Sequence, residues 1–270
     1  MARVQPPIEV DAHEDERDAG RSCFTIVRGE SPLVAAAVHD GHEVRPDVAD
    51  RLALSDRERR REEDPFTGLW TKVSDSRIVA RRSRFEVDLN RPRDEAVYRA
   101  PEDAWGLRVW KSEPPAALVE RSLAVYDAFY EAVEDLLTEK ARRHGRFVVY
   151  DLHAYNHRRD GPDAPPADPA GNPDVNVGTG NLDRERWAPV VDRLIADLRS
   201  VDFFGRQLDV RENVNFTGGE FSAWVHRRFP DSGCAIALEF KKFYMDEWTG
   251  RSREQAVRAI ERTLQFAATG

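Results

Sequence analysis

The chain has 270 residues, 40% of them hydrophobic and 33% charged, with a formal net charge of -8. That length carries one large α/β core, and so much charge demands a surface rich in Arg, Asp and Glu. Basic residues interspersed among a majority of acids exclude a general nucleic-acid binder, which needs a continuous basic face to neutralise phosphates.

Residues 1–20 are polar, with Pro6 and Pro7, and predict a frayed or surface-lying arm ahead of one α/β domain over residues 21–270. The arm lacks a positive n-region followed by an apolar core. No later segment is apolar for long enough to cross a bilayer, so no membrane association and a cytoplasmic residence are expected. Residues 23–27 (CFTIV) read as a short strand. Cys23 and Cys234 stand far apart, in no CxxC or Cys-His spacing, as small core residues of a reduced protein would. Residues 33–38 (LVAAAV) are apolar without alternation, the pattern of a strand covered on both faces, and they stop at His39.

Pro46 opens a helix with Val48, Leu52 and Leu54 on its apolar face. Ser55 caps a second, very charged helix that Pro65 breaks. Residues 78–80 and 85–89 (FEVDL) read as strands, the latter alternating apolar and acidic side chains. From Pro114, apolar residues from Leu118 to Leu137 recur at helical spacing and give the longest helix, which Gly145 ends. Residues 147–153 (FVVYDLH) form a buried strand that delivers Asp151 and His153 at its carboxyl end, the edge where open α/β sheets place their chemistry. Residues 157–181, rich in Pro, Gly, Asp and Asn, read as a long functional loop, a candidate lid. Further helices are expected over 187–198, 220–229 and 253–266, and strands over 208–211 and 233–239. The alternation gives an α/β sandwich with a mixed sheet.

Histidines and carboxylates at strand ends are the raw material of a catalytic zinc site, which uses three protein ligands and leaves a fourth position open. His39 and His153 each end an independent apolar strand and are the imidazole candidates; a lone histidine is more often a hydrogen-bonded surface or core residue, and two at the ends of such strands point to a shared site. The acidic place falls to the run Glu62, Glu63, Asp64, which as a bare charge run would be a solvated helix face. His42 is a rival ligand or a substrate contact. Glu239 ends a strand so apolar that its carboxylate would be desolvated and fitted to shuttle a proton, unless it merely pairs with Lys241 or Lys242. Asn90 and Arg91 could clamp a substrate carboxylate, or Arg91 could serve surface pairing with Asp94 and Glu95. Asp151, on the same strand face as His153, could orient its imidazole.

Taken in order, these stretches resemble the N-formylglutamate amidohydrolase family, related in fold to the zinc carboxypeptidases. The resemblance covers about 31–247. It rests on His39-Asp-Gly41, against the family's Pro-His-Ser-Gly, on Glu63-Asp64-Pro-Phe-Thr, Ser83-Arg84, Asp88-Leu-Asn-Arg91 and Asp151-Leu-His153, and on the segment from Glu239 to Asp246. Val38 and Asp40 depart from the first signature, and the carboxypeptidase His-x-x-Glu pair is absent, since His42 stands in its third place. The resemblance implies a three-layer αβα sandwich with a mixed, mostly parallel sheet of the phosphorylase/hydrolase-like, zinc-peptidase type. It also implies one divalent metal, usually zinc, and hydrolysis of an amide in a small carboxylate-bearing substrate. Carried over by position, it implies His39, Asp64 and His153 as metal ligands with Glu63 the rival acid. Glu239 takes the place of the general base, Arg84 that of a carbonyl-polarising group, and Asn90 and Arg91 those of substrate-carboxylate contacts. A metallo-carboxypeptidase or amidase acting on another peptide-like substrate, and a non-catalytic binding protein on the same fold, are the alternatives.

Overall fold

The computed structural model describes residues 8–11 and 23–269. An eight-stranded sheet runs β1 (Ile8–Asp11), β2 (Phe24–Arg28), β4 (Ser76–Ala80), β3 (Leu33–Ala37), β5 (Phe147–Tyr155), β8 (Gly233–Lys241), β6 (Val175–Gly178), β7 (Val210–Glu212) in spatial order. The central strands β4, β3, β5 and β8 are mutually parallel. β1 and β2 add antiparallel at one side, and β6 joins β8 antiparallel at the other. The sheet is thus mixed and its heart is parallel.

Helices cover both faces, which is why the central strands are continuously apolar. On one face, Phe129, Val133, Leu136 and Leu137 of α4 (Ala116–His144) and Phe221 and Val225 of α6 (Glu220–Arg228) pack on Val34, Ala36, Phe147 and Val149. On the other, α3 (Thr67–Trp70), α5 (Ala188–Ser200) and α7 (Glu254–Thr269) pack on Ala35, Tyr150, Leu152, Ile236 and Leu238. The period-two alternation along β5 therefore assigns Phe147, Val149, Asp151 and His153 to the α4 and α6 side. Gly145 ends α4 at a positive φ of 75°, the conformation glycine adopts without cost, and turns the chain straight into β5. α1 (Pro46–Ala49) is short, and α2 (Asp56–Glu62) starts at Ser55 with a full capping box made with Glu58.

Three expectations are corrected. Residues 85–89 are turns, not a strand. Their alternation arises because Glu86 and Asp88 are as buried as Phe85, Val87 and Leu89, each acid held by buried cations rather than facing water. Residues 157–181 are not one loop: they include β6, a fully buried strand of four residues whose brevity and central Asn176 hide it among prolines and glycines. The amino-terminal arm is not wholly irregular, since Ile8–Asp11 forms the edge strand; its other residues lie outside the described ones. Both cysteines are buried, and no helix among the described residues is long and apolar enough to cross a membrane.

Candidate metal centre and substrate cavity

The chain continues from β3 to His39, whose carbonyl accepts the backbone N–H of Asp64 at 2.9 Å, so the end of α2 is stitched to the end of a central strand. β5 supplies His153 from the neighbouring parallel strand. One carboxylate oxygen of Asp64 then lies 3.1 Å from Nδ1 of His153 and 3.6 Å from Nδ1 of His39. The ligand-capable atoms of these three residues all lie within 4.8 Å of one another, and all three are buried. The parallel register of β5 and β8 sets Glu239 directly beside His153.

The remote imidazole nitrogens are held by acids. Nε2 of His39 donates to Asp88 Oδ1 at 2.7 Å. Asp88 also accepts the Asn90 N–H at 2.8 Å, the Arg84 guanidinium at 2.9 Å and the Tyr98 hydroxyl. Nε2 of His153 comes within 2.8 Å of Asp151 Oδ1, off the line of a hydrogen bond, while Asp151 Oδ2 accepts the Ser222 hydroxyl of α6 at 2.8 Å. Two imidazoles with Nδ1 turned inward and Nε2 against carboxylates, plus one buried carboxylate, make a nitrogen and oxygen donor set that suits zinc or a similar divalent ion.

The electrostatics follow from burial and from these contacts. Burial alone would raise the Asp64 carboxyl, but hydrogen bonds and charge from His153 and His39 outweigh it and hold it well below the usual range. Burial disfavours the charged form of His153, yet Asp151 and Glu239 push its pKa well above the ordinary histidine value. Burial pushes Glu239 up to about 7, with Asp64 and Asp151 adding to the rise and His153 opposing it.

A cavity of about 350 Å³ opens beside the three buried residues and is lined by Arg84, Asn90, Arg91, Arg159 and Glu239 among others. The Asn90 side chain accepts the Phe221 N–H at 2.9 Å, joining the Asn-Arg turn to the start of α6. Arg91 bonds the Asp103 carbonyl at 2.9 Å and keeps about a third of its side chain exposed. Of the sequence candidates, His42 and Glu63 lie apart from the cavity lining. They face each other at 2.5 Å, with Ser83 and Arg59 also on Glu63.

Several residues shape the site without a conspicuous sequence signal. Asp88 opens the Asp-Leu-Asn-Arg stretch, and its place two residues before Asn90 is the available signal. Asn176 on β6 pairs in register with Glu239, and its amide oxygen accepts the N–H groups of Val214 and Asn215, both at 2.9 Å. It thereby shapes the segment from which Asn215, Phe216, Thr217, Gly218 and Gly219 line the cavity. Lys242, just past β8, donates to the carbonyls of Arg61 at 2.6 Å and Glu63 at 2.7 Å and so fixes the approach of the chain to Asp64. No local pattern marks either residue.

The profile of the N-formylglutamate amidohydrolase family matches residues 31–245. No curated protein matches the sequence. Among solved structures, an N-formylglutamate amidohydrolase from Ralstonia eutropha JMP134 superposes with a TM-score of 0.73 at 17% identity, over 91% of this chain and 95% of that one. A gene product from Agrobacterium tumefaciens superposes with a TM-score of 0.61 at 15% identity, over 88% and 89%. These two likenesses are in fold.

Proposed function

The chain belongs to the N-formylglutamate amidohydrolase family, and from that membership we propose that it hydrolyses the amide of an N-acyl amino acid, N-formylglutamate foremost, with one divalent ion, zinc by its donor set, held by His39, Asp64 and His153. The observation that carries the reading is the convergence of these three buried residues, within 4.8 Å, on a cavity that Glu239 also lines. A divalent ion there supplies Lewis acidity and lowers the pKa of water.

Glu239 acts as general base and then general acid. A carboxyl pushed up to about 7 is basic enough to take a proton from water in the cavity and acidic enough to return it near neutral pH. The water oxygen joins the acyl carbon, the C–N bond breaks, and Glu239 delivers the proton to the departing nitrogen, giving formate and the free amino acid. Arg84, locked by Asp88 and Tyr98, directs its remaining N–H groups at the carbonyl oxygen, where negative charge develops. Asn90 and Arg91 hold the substrate α-carboxylate and so orient the scissile bond. Asp88 and Asp151 keep the imidazoles turned inward. Two buried cysteines far apart in the sequence accord with a reducing, cytoplasmic setting.

A cavity of about 350 Å³ suits a small acyl amino acid. Release of amine from N-formyl-L-glutamate, other N-formyl and N-acetyl amino acids and short peptides tests the reading. Turnover is expected on the formyl amino acids, and a protein that cleaves only the peptides belongs to the carboxypeptidase alternative.

A further inference from the structure

Four arginine and lysine side chains among the described residues line the cavity, and they differ in how much bonding capacity is spoken for. Lys242 is buried and already bonds two backbone carbonyls. Arg84 is engaged through all three guanidinium nitrogens, by Tyr98, the Glu62 carbonyl and Asp88. Arg91 bonds one carbonyl and lies a long 3.8 Å from Glu95. Arg159 is the least committed: its side chain is 49% exposed, and among the described residues its partner is Glu62, at a long 3.5 Å.

Arg159 is nevertheless held on a rigid stem. The two residues before it, His157 and Arg158, donate their backbone N–H groups to the buried Glu247 carboxylate at 2.8 Å each, and Trp248 donates its indole N–H to the Arg158 carbonyl at 2.8 Å. Asn156, at the base of the same stem, lines the cavity, is buried, and has no hydrogen bond at its side-chain oxygen. A planar cation on a pinned backbone is the arrangement that recognises a carboxylate, whereas the unfilled Asn156 oxygen is an acceptor and takes no part in that recognition.

Resting on the acyl-amino-acid reading, which gives the substrate α-carboxylate to Asn90 and Arg91, we infer that Arg159 is the specificity determinant that binds a second carboxylate, the acidic side chain of the substrate. Arg159 exchanges its long contact with Glu62 for a charge-assisted pair with that acid. The site then selects acyl derivatives of dicarboxylic amino acids over neutral ones of the same length.

The test compares L-glutamate with L-glutamine, which differ only in that group, as calorimetric ligands of wild type, Arg159→Met and Arg159→Lys. Hydrolysis of N-formyl-L-glutamate and N-formyl-L-glutamine is followed in parallel. Wild type is expected to prefer the acid by roughly 10- to 100-fold, the worth of a charge-assisted hydrogen bond. Arg159→Met brings the ratio close to one, and Arg159→Lys retains part of it. A wild type without preference, or a preference that Arg159→Met leaves intact, overturns the inference. If the binding ratios behave as stated while neither formyl compound is hydrolysed, the specificity assignment stands and the hydrolase reading fails. If hydrolysis proceeds and the ratio ignores Arg159, only the specificity assignment fails.

Discussion

Asp88 joins more of the site than any residue the sequence singled out. It receives His39, Arg84, Tyr98 and the Asn90 backbone, so one carboxylate couples a proposed metal ligand to a proposed substrate clamp. Burial opposes its charge, but Arg84 and His39 hold its pKa well below the usual carboxylate range. Asp88→Asn removes the charge at constant shape and is expected to weaken metal binding by about 10- to 100-fold, read by competition with a chelator. Asp88→Ala goes further by leaving the Arg84 cation buried and unpaired, and should cost about 3–5 kcal/mol in denaturant unfolding. Glu239 gives a separate prediction. Below its pKa the carboxyl is protonated and cannot accept a proton, so kcat/KM is expected to rise with pH through a limb at about 7 or lower, because a bound cation favours the carboxylate. Glu239→Gln should lower kcat by ~10²–10⁴ with metal retained, and the limb should vanish. His39, His153 and Glu239 were legible because polar groups ending apolar runs are conspicuous. Asp88 was not, since its burial follows from partners up to 49 residues distant in the chain.

At the scale of elements, the site depends on register more than on local sequence. A one-residue slip between β5 and β8 would turn His153 or Glu239 to the opposite face, and the helix layers on both sides prevent it. β3, β5, β8 and the long α4 were readable from continuous apolar runs or helical spacing. β6 was not, because four residues with a polar centre give too short a signal, although Asn176 lies beside Glu239 in the sheet. The junction of the Asn-Arg turn with α6 is tight: a Cβ at Gly219 would stand 2.4 Å from the Asn90 side-chain amide. Gly219→Ala is therefore expected to destabilise by about 1–3 kcal/mol, seen as a lower Tm, and to raise KM by displacing Asn90.

For the whole molecule, the sheet acts as a floor whose strand ends and adjoining turns bring residues from positions 39 to 239 to one cavity. An ion held by His39, Asp64 and His153 only in the folded state, as proposed, would add stability by mass action. At about 100 times Kd this amounts to ~2.7 kcal/mol, and the Tm of the ion-saturated protein is expected to exceed that of the chelator-treated protein by roughly 5–10 °C. The fold class was legible from the alternation of apolar strands with amphipathic helices. What the sequence left open was which acid of the 62–64 run turns inward, and the carbonyl contacts of Lys242 bear on that from beyond β8. The most direct measurement quantifies formate and glutamate released from N-formyl-L-glutamate by protein stripped of metal and then titrated with zinc. The stripped protein is expected to show no turnover, and reconstitution to give equal amounts of both products with a plateau at one ion per chain. Full turnover without metal, or none with the ion bound, would contradict the proposed function.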